Sequence, residues 1–200
     1  MQLEEVLRRR RMTRRFEATP LRPETLGRLL DAARRVPSAG FTQAVEVVVL
    51  TQHAARQRFW AAVADPGWVE DREGAGIVSA PVVVVPVVSP AAYRDRYQER
   101  DKTTSSLAGA EGWGIPYWLV DASFCVLALL LAAENEHLGA LFFHLQGHEA
   151  AALAALGVPP AYQTIGAVAL GTRAPDEQPS GSPTRRARRG LDELVHREGW

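Results

Sequence analysis

PETLGRLLDAARRVPSAGFTQ, residues 23–43, is the stretch from which the rest of the chain can be ordered. Leu26, Leu29, Leu30 and Ala33 recur at the spacing of one helical face, and Pro23 sits where a helix can begin without its missing N–H being felt. PSAG at 37–40 then stops the helix. A helix with one apolar stripe needs a surface to cover, and the chain supplies strands after it. VEVVVLT (45–51) reads as a strand, and PVVVVPVV (81–88) as an interior strand, because a β-branched run apolar on both faces must be covered twice. Pro81 suits the start of that strand, and Pro86 an end or a bulge.

Working outward, further helices are predicted over residues 3–12, 54–63, 117–137 and 148–157, and strands over LGALFFHL (138–145) and TIGAVALG (164–171). DPGW (65–68) reads as a turn. Residues 89–114 are polar, dotted with aromatics and weakly periodic, as in a lid or a disordered excursion. The helix from Tyr117 is apolar nearly all round, which places it at a core centre or a subunit interface. The order of elements predicts a mixed α/β layer fold in a single domain over 1–200.

The chain has 23 basic and 23 acidic residues and no net charge. That balance argues against a general nucleic-acid binder. Cys125 is the only cysteine, so no intrachain disulfide forms and a reducing, cytoplasmic setting is expected. The N-terminus lacks the apolar core of a secretory signal, and the longest uninterrupted apolar run falls short of the roughly 18–20 residues of a membrane span. No membrane partner is expected. Neither GxGxxG after a strand nor GxxxxGK[ST] occurs, so a bound phosphate would have to be held by side chains. Two arginine clusters are candidates: RRRRMTRRF (8–16) and RRARR (185–189). They are solvated charge runs, an arm for nucleic acid, or a grip on one small anion. The histidines at 53, 137, 148 and 196 have no metal-ligand spacing, and no metal site is expected.

RRMTRRF (10–16), PETLGRLLDAARRVPSAGFTQ (23–43), LGALFFHLQG (138–147), AVALG (167–171) and RRARRGLDELV (185–195) together resemble the nitroreductase family of FMN-dependent oxidoreductases. IPYWLVDASF (115–124) is similar to a branch common among small actinobacterial members. The resemblance implies a central mixed, mostly antiparallel sheet with helices on both faces, in an intertwined homodimer with FMN at the interface. It implies a lid over 89–116 and a C-terminal arm, 172–200, packing on the partner subunit. Cofactor contacts would be Arg10, Arg11, Met12 (through its backbone) and Arg14, then Pro37, Ser38, Ala39, Gly40 and Gln43, then Phe143, His144 and Leu145, and finally Arg186 and Arg188. The arginines at both ends would converge on the FMN phosphate, whose charge suits guanidinium forks. If the turn after residue 9 stays helical, Arg10 and Arg14 share a face.

The sequence departs from the family pattern at Met12, where serine is usual, at Phe41, where asparagine is usual, and at Ala44-Val45 in place of Pro-Trp. Phe41 can only pack. By the same resemblance Tyr93, Tyr97, Lys102 and Trp113 would contact substrate. The implied activity is NAD(P)H oxidation and ping-pong transfer to a nitroaromatic, quinone or similar small flat aromatic acceptor, with the flavin carrying the chemistry and no catalytic acid, base or nucleophile on the protein. The alternatives are a flavin-binding sensor dimer without turnover, or a flavoenzyme of this fold with other chemistry, such as reductive dehalogenation or flavin breakdown. A deazaflavin in place of FMN also fits the pattern.

Overall fold

The computed structural model describes residues 1–108, 113–179 and 181–200. Its centre is β2 (Val82–Val88), every residue of which is buried. β1 (Val45–Leu50) pairs along one edge of β2 and β4 (Ala167–Gly171) along the other, with β3 (Gly139–Phe143) outside β4. All three pairings are antiparallel; the parallel element is confined to an isolated bridge between Met12 and Ala140.

The two-residue period of β2 divides the core. Val83, Val85 and Val87 enter one layer with Phe16, Leu50, Phe59, Trp60, Ile77 and Leu141. Val82 and Val84 enter the other with Leu29, Ala33, Cys125, Leu129 and Leu130. The first layer is covered by α3 (His53–Val63), α5 (Arg72–Val78) and α8 (Glu149–Ala155). The second is covered by α2 (Pro23–Ala33) and α7 (Tyr117–Asn135). Helices on both faces are thus the observed arrangement.

Pro86 lies inside β2, opposite Val47, and not at a bulge or an end. The ladder explains why it is tolerated. The Val88 N–H bonds Gln163 O on the β4 side, and by alternation the Pro86 nitrogen turns to that same side. There β4 pairing has ended at Val84–Val168, so no donor is required.

Two further expectations are corrected. α1 covers only Leu3–Arg9, after which the chain is extended. DPGW is no simple turn: α4 (Pro66–Glu70) begins there and α5 follows at once, capped by Asp71, whose Oδ1 accepts the Gly74 N–H at 2.7 Å. By length and composition alone the 19-residue α7 would also match a membrane span, with mean hydropathy 1.7 over 18 of its residues. Its contacts with α2, β2 and β3 make it a core helix. One side of α7 is left uncovered within the chain, where Phe124 and Leu127 are exposed.

Candidate functional site

After α1 the N-terminal segment runs extended along the sheet edge. The Thr13 N–H bonds Ala140 O and the Glu17 N–H bonds Thr172 O, while Phe16 bridges Arg173. Arg10, Arg11, Arg14 and Arg15 are half-buried here, so this part of the run is not a simple solvated face. Their surroundings differ. Arg14 pairs with Glu73 at 2.9 Å, and its N–H bonds Glu177 at 3.2 Å. Arg11 instead lines a cleft with Arg9, Glu134 and Arg173. Arg10 has no carboxylate partner among the described residues. The helical face proposed for Arg10 and Arg14 therefore does not exist, since the backbone has left the helix by Arg10.

The loop 37–43 is built in three ways. Ala39 to Phe41 form a 3₁₀ turn in which Gly40, Phe41 and later Gln43 take φ of 63°, 56° and 53°. Ser38 Oγ accepts the Gln43 N–H at 3.0 Å, closing the loop on itself. Beneath it, Asp121 of α7 is buried and accepts the Ala39 N–H at 2.9 Å and the Tyr93 O–H at 2.7 Å. Left-handed conformations at Phe41 and Gln43 are strained for residues with a side chain, and they persist because these contacts fix them. Phe41 is 71% exposed at the tip. Pro37, Ser38 and Gln43 line a shallow cleft with Val36 and Asp121.

The excursion packs against this loop. α6 (Pro90–Arg96) carries Tyr93, which is fully buried with its hydroxyl committed to Asp121. Burial, and then the bond to Asp121, raise its phenol above the ordinary tyrosine range. This corrects the expectation that Tyr93 reaches a substrate. Tyr97 is mostly buried, edge-on to Trp113 at 4.8 Å, and Lys102 Nζ lies 5.8 Å from its ring centroid. The Tyr97 ring crosses Gly40 so closely that a Cβ there would lie 2.7 Å from it. Tyr93, Tyr97, Lys102 and Trp113 thus gather beside Gly40, although residues 109–112 of the 89–116 excursion lie outside the described residues.

At the end of β3 the half-buried Phe143 stacks on Trp60 at 5.3 Å, and Leu145 just beyond it is buried in the same core; both line the same cavity as His144. His144 is the exposed one. Its Nδ1 accepts the Gln146 N–H at 2.8 Å and its Nε2 lies 3.2 Å from Glu149. It closes the turn into α8 and, with Trp60, Trp68 and His148, borders a cavity of about 150 Å³. Arg186 and Arg188 are exposed on the C-terminal arm, and no hydrogen bond or ion pair among the described residues joins them to the N-terminal arginines.

Sequence reasoning missed Asp121, Glu134 and Arg173. A lone acid in the apolar run YWLVDASFCVL was a usable signal for Asp121; Arg173 carries none, because its partner lies 39 positions away. Among the described residues no cluster of His, Cys, Asp or Glu is arranged for a metal.

A sequence profile of the Nitroreductase family matches residues 7–172. No curated protein sequence matches significantly. Similar solved structures include a protein from Desulfovibrio desulfuricans described as a nitroreductase, in complex with FMN (22% identity, TM-score 0.72, 100% of this chain and 98% of that one). The NADPH:FMN oxidoreductase of Vibrio harveyi, complexed with NAD+, aligns at 20% identity with a TM-score of 0.72, over 99% and 77% of the chains. NfrA2 of B. megaterium aligns at 16% identity with a TM-score of 0.75, over 100% and 75%. These likenesses agree in overall fold, and the profile spans most of the sequence: the chain belongs to the nitroreductase family.

Proposed function

We propose that the protein is an FMN-dependent oxidoreductase that takes reducing equivalents from NADH or NADPH and passes them to a flat acceptor, a nitroarene or quinone. The observation that carries this reading is the half-buried Arg10, which has no carboxylate partner among the described residues, at the start of a backbone pinned to the sheet edge. A half-buried guanidinium without a carboxylate suits a phosphate, which accepts its fork with two charge-assisted bonds. The donor set fits the FMN phosphate in kind. Arg10 and the arm residues Arg186 and Arg188 would hold it, and the backbone at Met12 would border it. Arg11, turned to another cleft, contributes less than the family pattern implies.

FMN, when bound, supplies the redox chemistry. The chain's part is positioning. Asp121 and Ser38 hold the 37–43 loop in one conformation, and Arg14 brings positive charge that Glu73 partly offsets. Gln43, exposed on the loop, offers an amide to a ring edge. The protein is read as a cytoplasmic homodimer. Exposed Phe124 and Leu127 on α7, Leu3 and Leu7 on α1, and Leu191, Leu194 and Trp200 on the arm are large apolar groups of the kind a second copy would cover. The arm 172–200 would then lie on the partner.

Phe41 favours a second reading, a flavin binder without turnover, because a side chain with no donor stands at the loop tip. Anaerobic addition of NADPH or NADH to the FMN-loaded protein separates the two. Bleaching of the flavin spectrum supports the reductase; a protein that stays yellow supports the binder. Failure to load FMN at all defeats both.

A further inference from the structure

Arg9, Arg11, Glu134 and Arg173 surround a cleft of about 240 Å³ beside the N-terminal segment. Four elements converge on it: the end of α1, the extended segment, the end of α7 and the residue shortly after β4. Glu134 is 3% exposed and braces two guanidinium groups, one carboxylate oxygen meeting Arg9 at 3.4 Å and the other meeting Arg173. Arg9 also reaches the exposed Glu5 at 3.3 Å. No carboxylate among the described residues pairs with Arg11. Three cations therefore face two anions, which leaves one positive charge in excess.

Beside the cleft, two polar atoms lack hydrogen-bond partners among the described residues. Thr13 is fully buried and its Oγ1 has no hydrogen bond among the described residues, and neither has Arg173 Nε. The two side chains meet over Gly139, where a Cβ would lie 2.8 Å from Thr13 Oγ1 and 2.9 Å from Arg173 Cγ. The missing side chain at Gly139 lets the Arg173 stem lie against the sheet edge and aim its head at Glu134. A partly desolvated excess cation is costly unless an anion answers it.

We propose that this cleft is a second anion site, separate from that proposed for the FMN phosphate, and that it takes a phosphoryl group. Two guanidinium forks braced by one carboxylate, with a third unpaired, match several acceptor oxygens on one centre. The C-terminal turns of α1 and α7 end here, so helix dipoles oppose the anion and side-chain charge must hold it. Binding should therefore weaken steeply with salt. The phosphoryl group could be free phosphate or the 2′-phosphate of a pyridine nucleotide.

The test titrates inorganic phosphate into FMN-saturated protein at constant ionic strength, with thermal unfolding as the readout and chloride as the control. The proposal expects a saturable rise in Tm beyond that in chloride. Its midpoint should move about tenfold or more in Arg11→Gln. Arg173→Lys, which keeps the charge beside Glu134 but loses the fork, should move it the same way and serves if the first variant folds poorly. Adenosine 2′-monophosphate competing at lower concentration than phosphate, with the same Arg11 dependence, identifies the nucleotide as the source; competition no better than phosphate identifies the free ion. A response equal to that in chloride, or variants that titrate like the wild type, would overturn the site.

Discussion

Replacing Asp121 with alanine should cost stability out of proportion to the atoms removed. One carboxylate oxygen accepts two hydrogen bonds, from the Ala39 N–H at 2.9 Å and the Tyr93 O–H at 2.7 Å, in surroundings where the acid is 2% exposed. Hydrogen bonds to a charged acceptor contribute about 1.5–3 kcal/mol each, and of the donors left behind the Tyr93 O–H is buried and the Ala39 N–H partly so, so the loss should reach about 3–5 kcal/mol. Asp121→Asn keeps an oxygen for both donors and sheds a buried charge, so it should lose less than half of that. Urea unfolding at fixed protein concentration measures the difference. Tyr93→Phe removes one of the two donors, and the double variant closes a thermodynamic cycle. A coupling of about 1–2 kcal/mol between the sites is expected. The 37–43 loop should also become open to proteolysis in Asp121→Ala. A loss below about 1 kcal/mol, or strictly additive effects of the two substitutions, would refute the argument that this carboxylate ties α6, α7 and the loop together.

Other consequences can be checked separately. Burial and the bond to Asp121 raise the Tyr93 phenol, so the folded state holds that proton more tightly than the unfolded chain. Its contribution is complete below about pH 10, the ordinary tyrosine value, and is lost as the pH rises above it. The urea midpoint of Tyr93→Phe should therefore fall less between about pH 9 and about pH 11 than that of the wild type. Burial pushes the Cys125 thiol up to about 11, so a thiol reagent at pH 8 should react with the unfolded protein and hardly at all with the folded one. Phe41→Asn should raise stability by about 1 kcal/mol, because asparagine accepts the left-handed backbone that phenylalanine holds under strain; a drop in Tm would show that the ring packs on something essential.

The elements with strong periodicity were legible. The β-branched run at 82–88 could only be a strand covered on both faces, and the stripe Leu26, Leu29, Leu30, Ala33 could only be a helix beside it. Pro86 was harder, because its tolerance depends on where β4 stops, a fact about another strand. α4 and α5 were hidden by the Gly and Pro of DPGW, although Asp71 ahead of Glu73 is the mark of a helix start. The family motifs said little about orientation. Tyr93 and Tyr97 share a helical spacing with any amphipathic surface helix; only the buried acid on α7 turns Tyr93 inward. Arg11 and Arg14 stand three apart in one cluster, and their different neighbours are set by Glu134 and Glu73, which no local pattern links to them.

Arginines from both ends of the chain are proposed to grip the phosphate of FMN. Equilibrium titrations of FMN and riboflavin into the wild type, Arg10→Ala and Arg188→Ala address this proposal most directly. Each substitution should weaken FMN by about tenfold or more while leaving riboflavin nearly unchanged. Equal losses for the two ligands, or no loss for FMN, would contradict it.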